Sequence, residues 1–406
     1  MRIGVLNISK DSRAGGTHTL TSSIHAALVE SAPDTAHTFV LFTADPSLLG
    51  SAVARNVEYH YLDPSPGHLL AGAARAASRA VRAKIGNPTG PLDLLGAEFG
   101  YHQAVFNQSG VDLVWSLTGG IPPVDIPYVP TILDLQHRRQ PFFPEASREG
   151  EWAFRERHFT RIIQRSAMVF VGTNEGKAEV ESFYGYPPER VKVIPLPTPQ
   201  MALQMPTDRR AATVRDLGLA PGYLFYPAQF WPHKNHTCLL RAVRLLRDRG
   251  RVLTLVLVGS DKGNQAHVER IAAELGIASQ VRMLGFVSIA EMVTLYRNAL
   301  ALTFPTYFGP DNLPPLEAFA LECPVIASRV PGAVEQLGEA ALLFDPGDHV
   351  ALADAVELVA SDAITRARLI EGGKVRAARF TSRDYVAEAL RHFDEFECVR
   401  TTWPSG

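Results

Sequence analysis

The chain reads as an α/β protein of two tandem units, each a parallel sheet covered by helices on both faces, with a cleft between them. Three observations predict this. Short β-branched runs alternate with longer helical patterns from end to end, which is the signature of βαβ units. The alternation stops once, at the Pro-rich, aperiodic stretch 195–210 (PLPTPQMALQMPTDRR), and then restarts, as an interdomain linker requires. The chain is 406 residues long, 46% hydrophobic and 20% charged, enough for two or three domains with substantial cores.

In the first unit strands are expected at 3–8, 38–42, 57–61, 113–117, 128–133, 168–172 and 192–194, with helices at 17–30, 69–84 and 147–165 among them. In the second, strands are expected at 223–226, 252–258, 281–284, 299–304, 325–327 and 341–344. Helices are expected there at 237–249, 265–276, 289–298, 313–321 and 350–361, with a short turn between the last two strands. The segment 366–397 reads as helical and long enough to cross back to the first unit. The expected division is a first domain over 1–195, a linker over 196–210 and a second domain over 211–379, with 380–397 returning to the first. Open parallel sheets bind ligands beyond the carboxyl ends of their strands, so the site is expected in the cleft.

The formal charge of −2 argues against non-specific nucleic-acid binding. Cys238, Cys323 and Cys398 form no metal or CxxC spacing, which points to a reducing, cytoplasmic setting. The opening MRIGVLNISK starts a strand, lacks a signal-peptide pattern, and no run nears the ~18 apolar residues of a membrane span. Arg75, Arg79 and Arg82 share one helix face beside Lys84. That face is compatible with peripheral contact at the inner face of a membrane, although a solvated surface is the favoured reading.

The most informative stretch is FPTYFGPDNLPPLEAFALEC, Phe304 to Cys323. It reads as a strand, a Gly/Pro/Asn turn and a helix that Asn312 can cap, with Pro314 and Pro315 in the first turn. The amides of Gly309, Asp311, Asn312 and Leu313 are then expected to face a ligand, and a helix N-terminus favours an anion. Glu317 lies about one turn on, leaning back toward the same ligand. In YPAQFWPHKNH, Tyr226 to His236, Lys234 precedes a helix that Asn235 can cap, and a lysine there suits a diphosphate. Gly15, Gly16 and Thr17 follow the first strand, where glycines allow close backbone approach; the GxGxxG fingerprint is absent. Asp134 and His137, in DLQH after a strand, suit proton handling or sugar hydroxyls. Phe286 and Val287 end the run LGFV beside a ligand base or in a plain βα turn. Each motif taken alone also fits an ordinary strand-to-helix connection.

Taken together, the second half resembles the retaining GT-B glycosyltransferases of glycosyltransferase family 4. The resemblance is carried in order by AQFWPHKNH, VRMLGFVS, FPTYFGPDNLPPLEAFALECPVIAS and VPGAVEQLGEAALLFDP, and more weakly by GGT and DLQHRRQPFF in the first half. It implies two Rossmann-like domains facing across the cleft. It implies transfer of a mannose-like or glucose-like hexose, with retention, from a GDP- or UDP-linked sugar to a hydroxyl of a glycan, a lipid-linked or a small acceptor. Lys234 would contact the diphosphate and Glu317 the ribose. Gly309, Pro310, Asp311, Asn312 and Leu313 would cradle sugar and phosphates, with Phe286 and Val287 near the base and Gly16 approaching from the first domain. No DxD motif is present, so a metal-free mechanism is expected in which Lys234 and helix-terminus amides stabilise the leaving diphosphate.

Three positions depart from the family pattern. Gly309 stands where the first of two glutamates usually lies, with Asp311 or Asn312 as candidate replacements. Leu133 stands where a histidine usually precedes Asp134, with His137 as candidate replacement. Gln229 stands where an arginine usually partners the lysine. In this the chain resembles a branch of the family in which WPHKNH replaces the more usual glycine-arginine element. The competing readings are a nicotinamide dehydrogenase, a GT-B sugar-nucleotide epimerase, and a degenerate protein that binds nucleotide sugars without turnover.

Overall fold

A computed structural model describes residues 1–6, 16–43, 54–62, 94–203 and 211–403. The expected helix 69–84 with its basic face, and Gly15, lie outside the described residues. The first sheet holds β1 (Arg2–Leu6), β2 (Thr38–Thr43), β3 (Val57–Tyr61), β4 (Leu113–Ser116), β5 (Tyr128–Ile132), β6 (Val169–Val171) and β7 (Val191–Val193). Its order is β3-β2-β1-β4-β5-β6-β7, and the paired strands are parallel. The second holds β8 (Tyr223–Pro227), β9 (Leu255–Val258), β10 (Val281–Met283), β11 (Ala299–Phe304), β12 (Val325–Ser328) and β13 (Ala341–Phe344). Its order is β10-β9-β8-β11-β12-β13, again parallel. In both sheets the chain winds outward one way and then the other, so β1/β4 and β8/β11 flank the points where a crevice opens.

The central strands are buried throughout, because helices cover both faces; such strands read as unbroken apolar runs rather than alternating ones. β3, at the sheet edge, is only half-buried. Where the turn chemistry is local, the expected boundaries coincide with those observed. The helix Ile289–Asn298 begins at a capping box in which Ser288 and Glu291 bond reciprocally. Among the helices not anticipated are Leu94–Gln108, Asn174–Tyr184 and Ala333–Leu337. The last is five residues long between Gly332 and Gly338, too short for periodicity to register.

The helical segment expected as one piece is two, Ala363–Ala378 and Ser382–Arg400. Thr381 separates them because it starts the second, its hydroxyl accepting from the Asp384 amide while Asp384 reaches back. The second helix returns to the first sheet. Its Tyr385 stacks on Trp115 at 6.4 Å and its Phe393 meets Trp115 edge-on at 5.3 Å. Residues 196–203 of the expected linker are not loose. Thr198 donates its amide to the Phe380 carbonyl (3.1 Å) and its hydroxyl to that of Ala377 (2.8 Å). Phe393 is fully buried in this seam, so Phe393→Ala should lower stability by about 3–5 kcal/mol, read as a lower urea midpoint. No helix among the described residues is long and apolar enough to cross a membrane.

Candidate functional site

The site is built on the loops that follow β8 and β11. After β8 the chain forms a single turn, Pro232–Lys234, and Asn235 adopts a left-handed conformation (φ 56°) before the helix His236–Asp248. The Asn235 side chain accepts from the Cys238 amide and donates to the carbonyls of Pro305 (2.9 Å) and Pro346 (2.7 Å). One amide thus caps a helix and ties this loop to those after β11 and β13. The Tyr226 hydroxyl donates to the Lys234 carbonyl at 2.8 Å. Lys234 is therefore held through its backbone while its ammonium is left over, 5.5 Å from the centre of the Phe304 ring. No described carboxylate forms an ion pair with it. Burial pulls the Lys234 pKa down to about 8, against the opposing fields of Asp134 and Glu145.

After β11 the loop is shaped by Gly309 at φ 134°, a conformation that L residues avoid. The Asn312 side chain donates to the Gly309 carbonyl at 3.0 Å, and a Cβ on Gly309 would lie 2.5 Å from the Asn312 amide nitrogen. A glutamate at 309 is excluded by both. The expected capping by Asn312 is corrected here: it occupies the cap position, but its side chain makes no cap bond. Its backbone is also not available to a ligand. Gln336 accepts from the Asn312 amide (2.9 Å) and donates to its carbonyl (2.9 Å). The amides of Gly309 and Leu313 bond no described residue and remain for an anion at the start of the helix Leu313–Ala320. Glu317, one turn on, is 7% exposed and accepts from the Tyr296 hydroxyl at 2.7 Å. Burial raises its pKa, with the Tyr296 bond opposing.

The first sheet closes the cleft from the other side. Gly16 opens the helix Gly16–Ser31, and a Cβ there would meet the Leu313 side chain at 3.6 Å. Leu313 is buried in the first unit's core. Asp311 crosses to the end of β6: a Cβ on Gly172 would fall on its Oδ2, which is buried without a partner. Burial, then the fields of Asp134, Glu335 and Glu179, push the Asp311 pKa up to about 8. That shift favours the uncharged acid, which can donate a hydrogen bond. A cavity of about 410 Å³ adjoins it, lined by Thr173, Thr198, Leu316, Glu335 and Arg376.

The remaining expected residues separate. Asp134 is half-exposed after β5, its Oδ1 accepting from the Gln136 amide at 3.1 Å. His137, expected to serve the cleft, lies in the interior. It is fully buried, with Nε2 3.1 Å from Glu156 and 3.2 Å from the Tyr184 hydroxyl. Its ring stacks on Phe159. Gln229, expected at the donor, accepts at its Oε1 from the Trp231 indole at 3.0 Å. Phe286 is 67% exposed and Val287 is buried. Gln336, Tyr296, Gly172 and Glu145 carry contacts that sequence reasoning missed; each acts on a partner remote in the chain, and no local motif marks it.

Residues 215–376 match the family described as glycosyl transferases group 1. The D-inositol 3-phosphate glycosyltransferase of Stackebrandtia nassauensis is 34% identical over 241 residues, 55% of this chain and 54% of that protein. The protein of the same description from Corynebacterium efficiens is 30% identical over 233 residues, 54% of each. The chain thus spans about half the length of the curated relatives it matches. Among solved structures, sucrose-phosphate synthase from Thermosynechococcus elongatus superposes with a TM-score of 0.72 at 20% identity, covering 99% of this chain and 100% of that one. Anabaena HepE, crystallised with UDP and glucose, gives 0.66 at 18%, covering 97% and 100%. These likenesses show the fold: two Rossmann-like domains in the GT-B arrangement.

Proposed function

We propose that this chain, a GT-B protein whose residues 215–376 carry a glycosyl transferases group 1 domain, is a retaining hexosyltransferase. It moves a mannose-like or glucose-like hexose from a UDP- or GDP-linked donor to a hydroxyl acceptor, without a metal. The observation that carries this is the arrangement around the second sheet's crevice. Lys234, an ammonium without an ion-pair partner among the described residues, follows β8, and the Leu313 amide and the buried carboxylate of Glu317 follow the neighbouring strand β11. That set matches a diphosphate joined to a pentose.

Lys234 and the Gly309 and Leu313 amides stabilise charge on the departing diphosphate. Glu317, oriented by Tyr296, accepts from ribose hydroxyls. Gly16 lets the first domain close on Leu313 without a side chain between them, which excludes water from the donor. Asp134 is the exposed polar group nearest the strand end for the acceptor hydroxyl. Uncharged Asp311 fits a donor to a sugar oxygen. Val287, with Phe286 beside it, forms the base end. The relatives described as D-inositol 3-phosphate glycosyltransferases support glycosyl transfer, and the neighbour crystallised with UDP and glucose supports a nucleotide-linked donor.

A thermal-shift screen with UDP, GDP, ADP and their glucose and mannose conjugates tests the reading. A nucleoside diphosphate at 100 times its Kd should stabilise the protein by about 2.7 kcal/mol. The base that raises the melting temperature most identifies the donor. No shift with any of them would overturn the proposal.

A further inference from the structure

We propose that Glu145 is a positioning residue of the donor site: reaching from the first domain, it clamps the His233–Lys234 turn and supports the lysine's charge while the domains are together. The inference rests on the donor-site reading above and deepens it. The Glu145 side chain is 4% exposed. Its Oε1 accepts from the His233 amide at 3.1 Å and contacts the His233 ring Nδ1; its Oε2 is buried with no partner. An ionised carboxylate so enclosed is costly unless strong donors pair with it. Burial acts to raise its pKa, but the bonds from His233 outweigh that and hold it below the usual carboxylate range.

The clamp belongs to a wider contact. The Gln140 amide donates to the Tyr307 carbonyl at 2.8 Å, and the Tyr307 amide donates to the His233 carbonyl at 2.8 Å. The Phe143 ring packs against His233 and Tyr307 at 6.2 and 5.9 Å. Segment 140–145 therefore lies across both loops that shape the second domain's crevice. If the domains separate, His233 loses its carboxylate and the turn bearing Lys234 loses its outer support.

The charges around Lys234 make the effect electrostatic as well as mechanical. Two carboxylates favour its ammonium, Asp134 from the loop after β5 and Glu145. His233 and His236, the titratable neighbours on its own side, are kept neutral by burial. Removing Glu145 leaves Asp134 alone against the desolvation of Lys234.

The test is UDP and GDP affinity by titration calorimetry from pH 6.5 to 9.5, with melting curves at each pH, for wild type, Glu145→Gln and His233→Ala. Wild-type affinity should fall as pH rises through about 8. In Glu145→Gln, binding at pH 8 should be about tenfold weaker, the scale of one lost charge-assisted bond, and the fall should begin at lower pH. His233→Ala should weaken binding while leaving the pH of the fall in place, since the carboxylate remains. Glu145→Gln with wild-type affinity and an unmoved pH dependence would overturn the inference, even if its melting temperature dropped. So would full affinity in His233→Ala. Failure of the wild type to bind either nucleotide would instead overturn the donor-site reading, and is distinguishable because it is read without any substitution.

Discussion

Replacing Lys234 by alanine is expected to lower kcat/KM for the nucleotide-sugar donor by at least about tenfold, or ~1.4 kcal/mol of transition-state stabilisation. The ammonium has no ion-pair partner among the described residues, so the charge it offers a ligand is lost with the side chain. Its backbone bonds to Trp231 and Tyr226 survive the substitution; the loss is therefore of charge rather than of fold. Arginine should not restore activity, because a planar fork does not substitute for a compact ammonium in an enclosed site. The pH dependence has a definite sign. The lysine's pKa lies at about 8 in the empty site, and an anionic diphosphate selects the protonated form. Affinity is thus fully present below that pH and lost as pH rises through it, by up to tenfold per unit. Lys234→Ala should lack this limb. Kinetics close to wild type in the variant, or a basic limb that persists, would contradict the assignment. Glu317→Ala should cost at least as much, since it also strands the buried Tyr296 hydroxyl without an acceptor; its melting temperature should fall, whereas that of Lys234→Ala should not.

The parts of this architecture that were legible in the sequence are those set by neighbours in the chain. The strand Ala299–Phe304 is read from an apolar run, and the helix after it from a Gly/Pro/Asn turn and a Pro-Pro first turn. The same locality exposes Lys234 and Glu317, each within about one turn of a helix start. What stays hidden is set by partners across the fold. Gln336 takes the Asn312 amide from 24 residues away. Glu145 meets His233 across 88 residues and between two domains. His137 has the spacing of a cleft residue, yet Glu156 and Tyr184 draw it into the interior. A residue type in a loop after a strand announces chemistry; whether the side chain faces that chemistry depends on packing that spacing does not encode.

Gly309 is the sharpest case, because sequence and structure suggest opposite experiments. From sequence, Gly309→Glu looks like a repair that returns the family's first glutamate. The structure predicts a loss. At φ 134° a side chain carries about 1–3 kcal/mol of backbone strain, and the new Cβ overlaps the Asn312 side chain on all three of its nearest atoms. Asn312 cannot simply turn aside. Its side chain bonds the Gly309 carbonyl, and its backbone is pinned at both ends by Gln336. The strain passes through that pinned peptide to Leu313, whose amide opens the helix proposed to receive the diphosphate and whose side chain lies against Gly16 of the first domain. Gly309→Glu is therefore expected to weaken UDP or GDP binding by at least about tenfold, and to lower the melting temperature by several degrees. Pairing it with Asn312→Ala removes the overlap but not the strained dihedral, so affinity should recover in part and not fully. Should Gly309→Glu bind nucleotide as well as wild type, or better, then this loop is not held by the Asn312–Gln336 pair, and the account of how the chain dispenses with that glutamate fails.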